Sequence, residues 1–226
     1  MDRTPWLDGY SSAISLTFDG GLIEHWELVE PILEESGLKA TFFVTIPAVL
    51  NAPDAWRRVA QRGHEMGNHC TYRVTNGGSL PSWTLQMVKD DIQHSQNGFR
   101  ELFQSEPTAF ALDGIDLSCA DGDYTSALNC FSCVRTPHEG KNQGDIDNRR
   151  LKSADWSQLQ GPVEGLLPNE GEWTIAVFSE FYSPEFSAAE DDLRLIISHL
   201  KQREDIWCAP VSEVANKIEN QRATLR

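Results

Sequence analysis

Runs of β-forming residues alternate with amphipathic helical segments along the chain, and this alternation restricts the fold more than any other feature. Seven runs read as strands: Ile14 to Phe18, KATFFVT, HEMGNH, PTAFALDG, CFSCVR, WTIAVFS and IWCAP. Helical spacing lies between them. Leu22, Trp26, Val29 and Leu33 recur at helical intervals up to Gly37, DAWRRVAQRG makes a short amphipathic helix, and a third helix is predicted from an N-cap at Ser82 to Phe103. SAAEDDLRLIISHLKQR and VSEVANKIEN supply two more, and Thr136 to Gly171 reads as a long loop. Strands alternating with helices pair in parallel, so the expected fold is α/β: a distorted, TIM-like (β/α) barrel of about seven strands.

With 226 residues, 40% of them hydrophobic, the chain can bury one substantial core, and residues 1–226 are read as a single domain. A net charge of −15 disfavours nucleic acid as a partner, because a phosphate backbone demands a basic face. A neutral or amine-bearing substrate meets no such barrier. No apolar run reaches the roughly 20 residues that span a bilayer, so no membrane partner is expected. The segment MDRTPWLDGYSSAISL lacks the basic and apolar regions of a signal peptide, which points to the cytoplasm. The cysteine count is five, an odd number, and no disulfide framework is expected.

In a parallel barrel the residues at strand C-termini gather at one rim, which is where such folds carry their chemistry. Asp19, His69, Asp113 and Ser179 each follow a strand-like run and are expected to converge there. Asp19, ahead of Gly20 and Gly21, is either a pocket residue or the cap of the next helix. Asp113 is either a pocket residue or a solvated turn aspartate. Cys70 adjoins His69, but neighbours on an extended chain point to opposite faces. Cys130 and Cys133 form a C-x-x-C without a second ligand pair, so packed thiols are the simpler reading. His25 and His64 read as ordinary polar or capping histidines.

The order SLTFDGG, GLKATFFVT, GHEMGNH, WTIAVF and IWCAPVSEVA resembles the polysaccharide deacetylase (NodB-homology) family over nearly the whole chain. The resemblance implies a distorted barrel of about seven strands, and a hydrolase that removes acetyl groups from N-acetylated sugars with a divalent metal such as zinc. In that family the first Asp of a TFDDG motif is the base, the second binds metal, and two His four residues apart complete the triad. Carried over, Asp19 takes the catalytic base position, but Gly20 stands where the metal-binding Asp belongs. His69 matches the first metal His and is the only retained ligand, with Arg73 in place of the second. The oxyanion loop is reduced to ALDG and brings Asp113 near. Ser179 stands where a strand-end His serves as general acid.

The resemblance also places Asp155 and Trp156 on a groove wall, where Trp156 either covers a sugar face or anchors the long loop. His69, Arg73, Asp113, Asp155, Trp156 and Ser179 are thus the candidate substrate-binding residues, around a neutral or N-acetylated glycan. No metal cofactor is expected, and Arg73 is expected to supply Asp19 with its counter-charge. The implied function is a carbon–nitrogen hydrolase of the deacetylase type with weak, metal-independent or altered activity. The alternative is a non-catalytic member that keeps the barrel as a glycan-binding or interaction module.

Overall fold

The computed structural model describes residues 9–71, 77–178 and 186–224. Seven strands run parallel in chain order: β1 (Ser12–Gly20), β2 (Thr41–Val44), β3 (Glu65–Asn68), β4 (Ala109–Ala111), β5 (Cys133–Glu139), β6 (Leu151–Asp155) and β7 (Glu172–Phe178). The barrel closes where β7 returns to β1, with Ala13 opposite Trp173 and Phe18 opposite Phe178. Around it lie α1 (Glu30–Ser36), α2 (Ile46–Asn51), α3 (Pro53–Gln61), α4 (Leu85–Phe103), α5 (Phe186–Gln202) and α6 (Val211–Thr224). A short β8 (Ile206–Cys208) pairs with Ser12 to Ile14 of β1, just upstream of the stretch from Thr17 to Gly20 that pairs with β2.

The barrel therefore has the expected strand number with a different membership. The stretch from Thr136 to Gly171 contains β6, a full member of the barrel, while the expected strand IWCAP flanks β1 from outside the closed ring. LKSAD was hard to recognise because it contains no β-branched or aromatic residue. Partners on both sides hold the segment extended despite weak propensity. β5 runs past its predicted end through Pro137, and the five residues from Arg135 to Glu139 oppose only three, Leu151 to Ser153. A bulge absorbs the difference, which suits a proline that has no amide to donate. The third helix starts later than predicted: Thr84, not Ser82, is the N-cap, its Oγ1 accepting from the Met87 amide at 3.3 Å.

Alternation along β1 separates two cores. Ile14, Leu16 and Phe18 face outward into a cluster with Val29 and Leu33 beneath α1 and with Leu193 and Ile196 of α5. Ala13 joins a second cluster with Phe43, Trp173 and Ile175. Ser15 accepts from Trp173 Nε1 at 3.0 Å, and Thr17 Oγ1 donates to the Ala176 carbonyl at 3.0 Å. The inward column of β1 is thus small and polar, and it leads up to Asp19.

His25, in a π-helical turn from His25 to Val29, is fully buried among Phe18, Phe42 and Trp56. Burial pushes its imidazole down to about 3, opposed in part by the charge of Asp19. The folded protein keeps this ring neutral while the unfolded chain takes up a proton below its ordinary value of 6.5. Stability is therefore present above about pH 6.5 and lost as pH falls toward 3, with His25 contributing up to about 1.4 kcal/mol per pH unit. Urea unfolding at stepped pH should show this slope in the native protein and a flatter one in His25→Leu. An unchanged slope in the variant would contradict the assignment.

Candidate functional site

β1 brings Asp19 to the C-terminal rim, where Gly20 and Gly21 turn the chain away with φ of 94° and 76°. Asp19 caps no helix. Both of its oxygens accept from one guanidinium, at 2.7 Å from Arg135 Nη1 and 2.6 Å from Arg135 Nη2. Both residues are almost fully buried, and Arg135 also reaches Thr17 Oγ1 at 3.4 Å. Its guanidinium carbon lies 5.0 Å from the Phe43 ring centroid, a cation–π distance. Phe43 in turn rests on Gly67 of β3, where an added Cβ would overlap the ring. Gly67, Phe43, Arg135 and Asp19 thus form one continuous stack across the barrel.

His69 follows β3, and its amide still donates to the Val44 carbonyl at 3.1 Å. Its Nδ1 lies 3.2 Å from the Ala111 carbonyl and its Nε2 3.4 Å from Asp113 Oδ2. Asp113 also stands 3.9 Å from Arg135 Nη2. Ligand atoms of Asp19, His69 and Asp113 all fall within 4.8 Å of one another. Cys70, in the left-handed region with φ of 60°, sends its side chain into an apolar cluster with Val88 and Phe110. Burial pushes the Cys133 thiol up and the Cys208 thiol up to about 12, and no two of the five cysteines are joined.

A cleft of about 530 Å³ opens over this cluster, with Asp19, Asp113, Arg135, Glu139, Asp155, Gln158 and Gln160 in its wall. A neighbouring cavity, also about 530 Å³, shares Glu139, Asp155, Gln158 and Gln160, so the depression continues along the rim. Asp155 Oδ1 accepts from the Ser157 amide and hydroxyl at 2.9 and 2.8 Å. Trp156 faces elsewhere: its Nε1 donates to Asp192 Oδ2 at 2.7 Å and its ring stacks on Phe178 with centroids 6.3 Å apart.

The structure thus brings Asp19, His69, Asp113 and Asp155 to one end of the barrel. Arg73 and Ser179, with the expected Asp19–Arg73 pair, lie outside the described residues. Among the described residues the counter-charge is Arg135, which the sequence motifs did not single out. Its signal was nonetheless present: a lone arginine inside the β-forming run CFSCVR is a charge in a position that burial must satisfy. Glu139, Gln158 and Gln160 sat in the stretch read as loop and carried no signal.

A sequence model described as polysaccharide deacetylase matches residues 8–114. A gellan lyase from Bacillus sp. is 31% identical over 88 residues, which is 39% of this chain but only 4% of that protein. The peptidoglycan deacetylase PdaC from Bacillus subtilis superimposes with a TM-score of 0.63 at 17% identity, covering 96% of both chains. A family 4 acetyl xylan esterase from Clostridium thermocellum, in complex with cobalt, gives 0.59 at 20% identity over 89% of each chain. Puue allantoinase gives 0.69 at 13% identity over 96% of this chain and 93% of its own. No helix among the described residues is long and apolar enough to cross a membrane.

Removing Arg135 leaves Asp19 buried without its bidentate partner. Arg135→Ala should cost about 3–5 kcal/mol in urea unfolding. Combining Asp19→Asn with Arg135→Met should cost clearly less than the sum of the two single changes. Strict additivity would show that the pair is not coupled.

Proposed function

We propose, from the match of residues 8–114 to the polysaccharide deacetylase model, that the chain belongs to that family and that its barrel-mouth cleft binds a neutral or N-acetylated glycan. We propose further that hydrolysis of the carbon–nitrogen bond persists there only weakly and without metal. The observation that carries this reading is the Asp19–Arg135 pair, which commits both oxygens of the residue in the family's base position to a guanidinium. A bound divalent ion would polarise an acetyl carbonyl and sharpen a water into a nucleophile. Here Gly20 contributes no side chain, and an ion beside Asp19 would stand roughly 4 Å from the Arg135 charge. At an effective dielectric of 20 that repulsion is about 8 kcal/mol. The residues present do not fit a tightly held metal.

What the chain's own residues do follows from their places. Arg135 fixes Asp19 in one orientation. For Asp19 to take a proton from water it must give up part of a bidentate pair, which slows general-base chemistry. Asp113 puts negative charge where an oxyanion would develop, opposing it. Gln158 and Gln160 offer amides that match sugar hydroxyls, and the continuation of the cleft along the rim has room for more than one ring.

A second reading, a glycan-binding module without catalysis, is favoured by the same occupied carboxylate. Calorimetry with N-acetylglucosamine oligomers, paired with acetate-release assays in chelator and in added zinc, separates the cases. Binding with slow acetate release that neither chelator nor zinc alters is the expected result. Binding with no release supports the second reading. Tenfold or greater stimulation by zinc would overturn the metal-free assignment.

A further inference from the structure

A cavity of about 740 Å³ opens at the end of the barrel opposite the rim. β3 starts here at Glu65 and runs toward His69 at the rim, and the cavity wall also takes Thr108 from just before β4 and Ser212 from the first turn of α6. Glu65 is held in this wall by one oxygen: Oε2 accepts from Thr41 Oγ1 at 2.7 Å and from the Ser212 amide at 3.2 Å. Its other oxygen, Oε1, is buried without a hydrogen-bond partner, and an acceptor left so calls for a donor. Burial also pushes the Glu65 carboxyl up from its ordinary value. His64, in the same wall, is the complementary case. Its Nδ1 accepts from the Ala40 amide at 3.2 Å, which in the neutral ring places the hydrogen on Nε2, and that N–H is buried with no partner either. Burial pushes this imidazole down to about 4, so the ring is neutral at pH 7.

The charge of the wall selects the charge of the ligand. Arg57 is the wall's cation, and its guanidinium is committed, with Nη1 donating to Asp54 at 2.9 Å and Nε to the Leu102 carbonyl at 3.2 Å. Glu106 is matched by Arg100 at 2.5 Å, which leaves Glu65 and Glu101 as the surplus. Amides of Gln61 and Gln104 stand in the same wall as the apolar faces of Met66 and Phe103, a mixture that suits a body with hydroxyls around an apolar ring face. We propose that this cavity binds an amine-bearing sugar, its ammonium donating to Glu65 Oε1 and a ring or hydroxyl oxygen accepting from His64 Nε2. Neither protein atom is open to solvent, so the wall shifts as the ligand enters. The volume lies within the roughly 300–1,000 Å³ of small-molecule sites. Hydrolysis of an N-acetyl group takes up water and yields acetate and a primary amine on the sugar. The cavity therefore fits the product class of the reaction proposed above, and the inference rests on that reading for the source of its ligand alone.

Glucosamine is the probe, with N-acetylglucosamine as its uncharged counterpart, both followed by calorimetry. Glucosamine should bind the unaltered protein, and Glu65→Gln should weaken it by about tenfold or more, the loss of one charge-assisted hydrogen bond, while leaving N-acetylglucosamine as it was. Should Glu65→Gln not fold, Thr108→Trp, at an exposed position of the wall, is the second variant, and it should block glucosamine. Absence of glucosamine binding by the unaltered protein would overturn the inference. So would a folded Glu65→Gln or Thr108→Trp that binds glucosamine as well as the parent. An N-acetylglucosamine oligomer at saturation should not displace glucosamine; displacement would assign the amine to the rim and sink this site. Failure of that oligomer to bind would sink the proposed function and leave this inference standing, because the Glu65 and Thr108 variants test it without the rim.

Discussion

A carboxylate buried at the mouth of a barrel must be neutralised, and the way this chain neutralises Asp19 shapes the rim around it. Taking Asp19 and Arg135 out of water costs several kcal/mol for each ion, which only good geometry and further hydrogen bonds offset. The structure supplies both: two short contacts in a bidentate fork, the Thr17 hydroxyl, and the Phe43 face beneath the guanidinium. Gly67 is needed for that support, because a side chain there would displace Phe43. A charge requirement on β1 is thus met by a residue on β5 and levelled by a glycine on β3.

The fold was largely legible because period-two and helical patterns survive wherever one face of an element is buried. β1, β2, β3 and β7 all announced themselves. β6 did not, since LKSAD is held extended by its neighbours rather than by its own residues. The site was legible in part. Asp19 and His69 were marked by motif spacing, and Asp113 by its place after a strand. Arg135 pairs with a residue far away in sequence, and local pattern carries no information about which distant charge will meet it. Trp156 illustrates the reverse case, an aromatic beside an acid whose indole is held by Asp192 away from the cleft.

The cleft is acidic apart from Arg135. Asp113, Glu139 and Asp155 line it, and the chain carries a net charge of −15. A polyanionic ligand approaching this face would be repelled, while a neutral or amine-bearing sugar would not.

The pairing of β1 has a consequence for biosynthesis. This is the first barrel strand to leave the ribosome, yet its neighbours in the ring include β7, and its upstream end pairs with β8. Until those segments emerge, an apolar strand waits with open edges, a condition that favours wrong pairing with other nascent chains. The barrel cannot close until β7 has been synthesised. A holding chaperone acting before Ile206 emerges would therefore shield β1 for as long as its partners are missing.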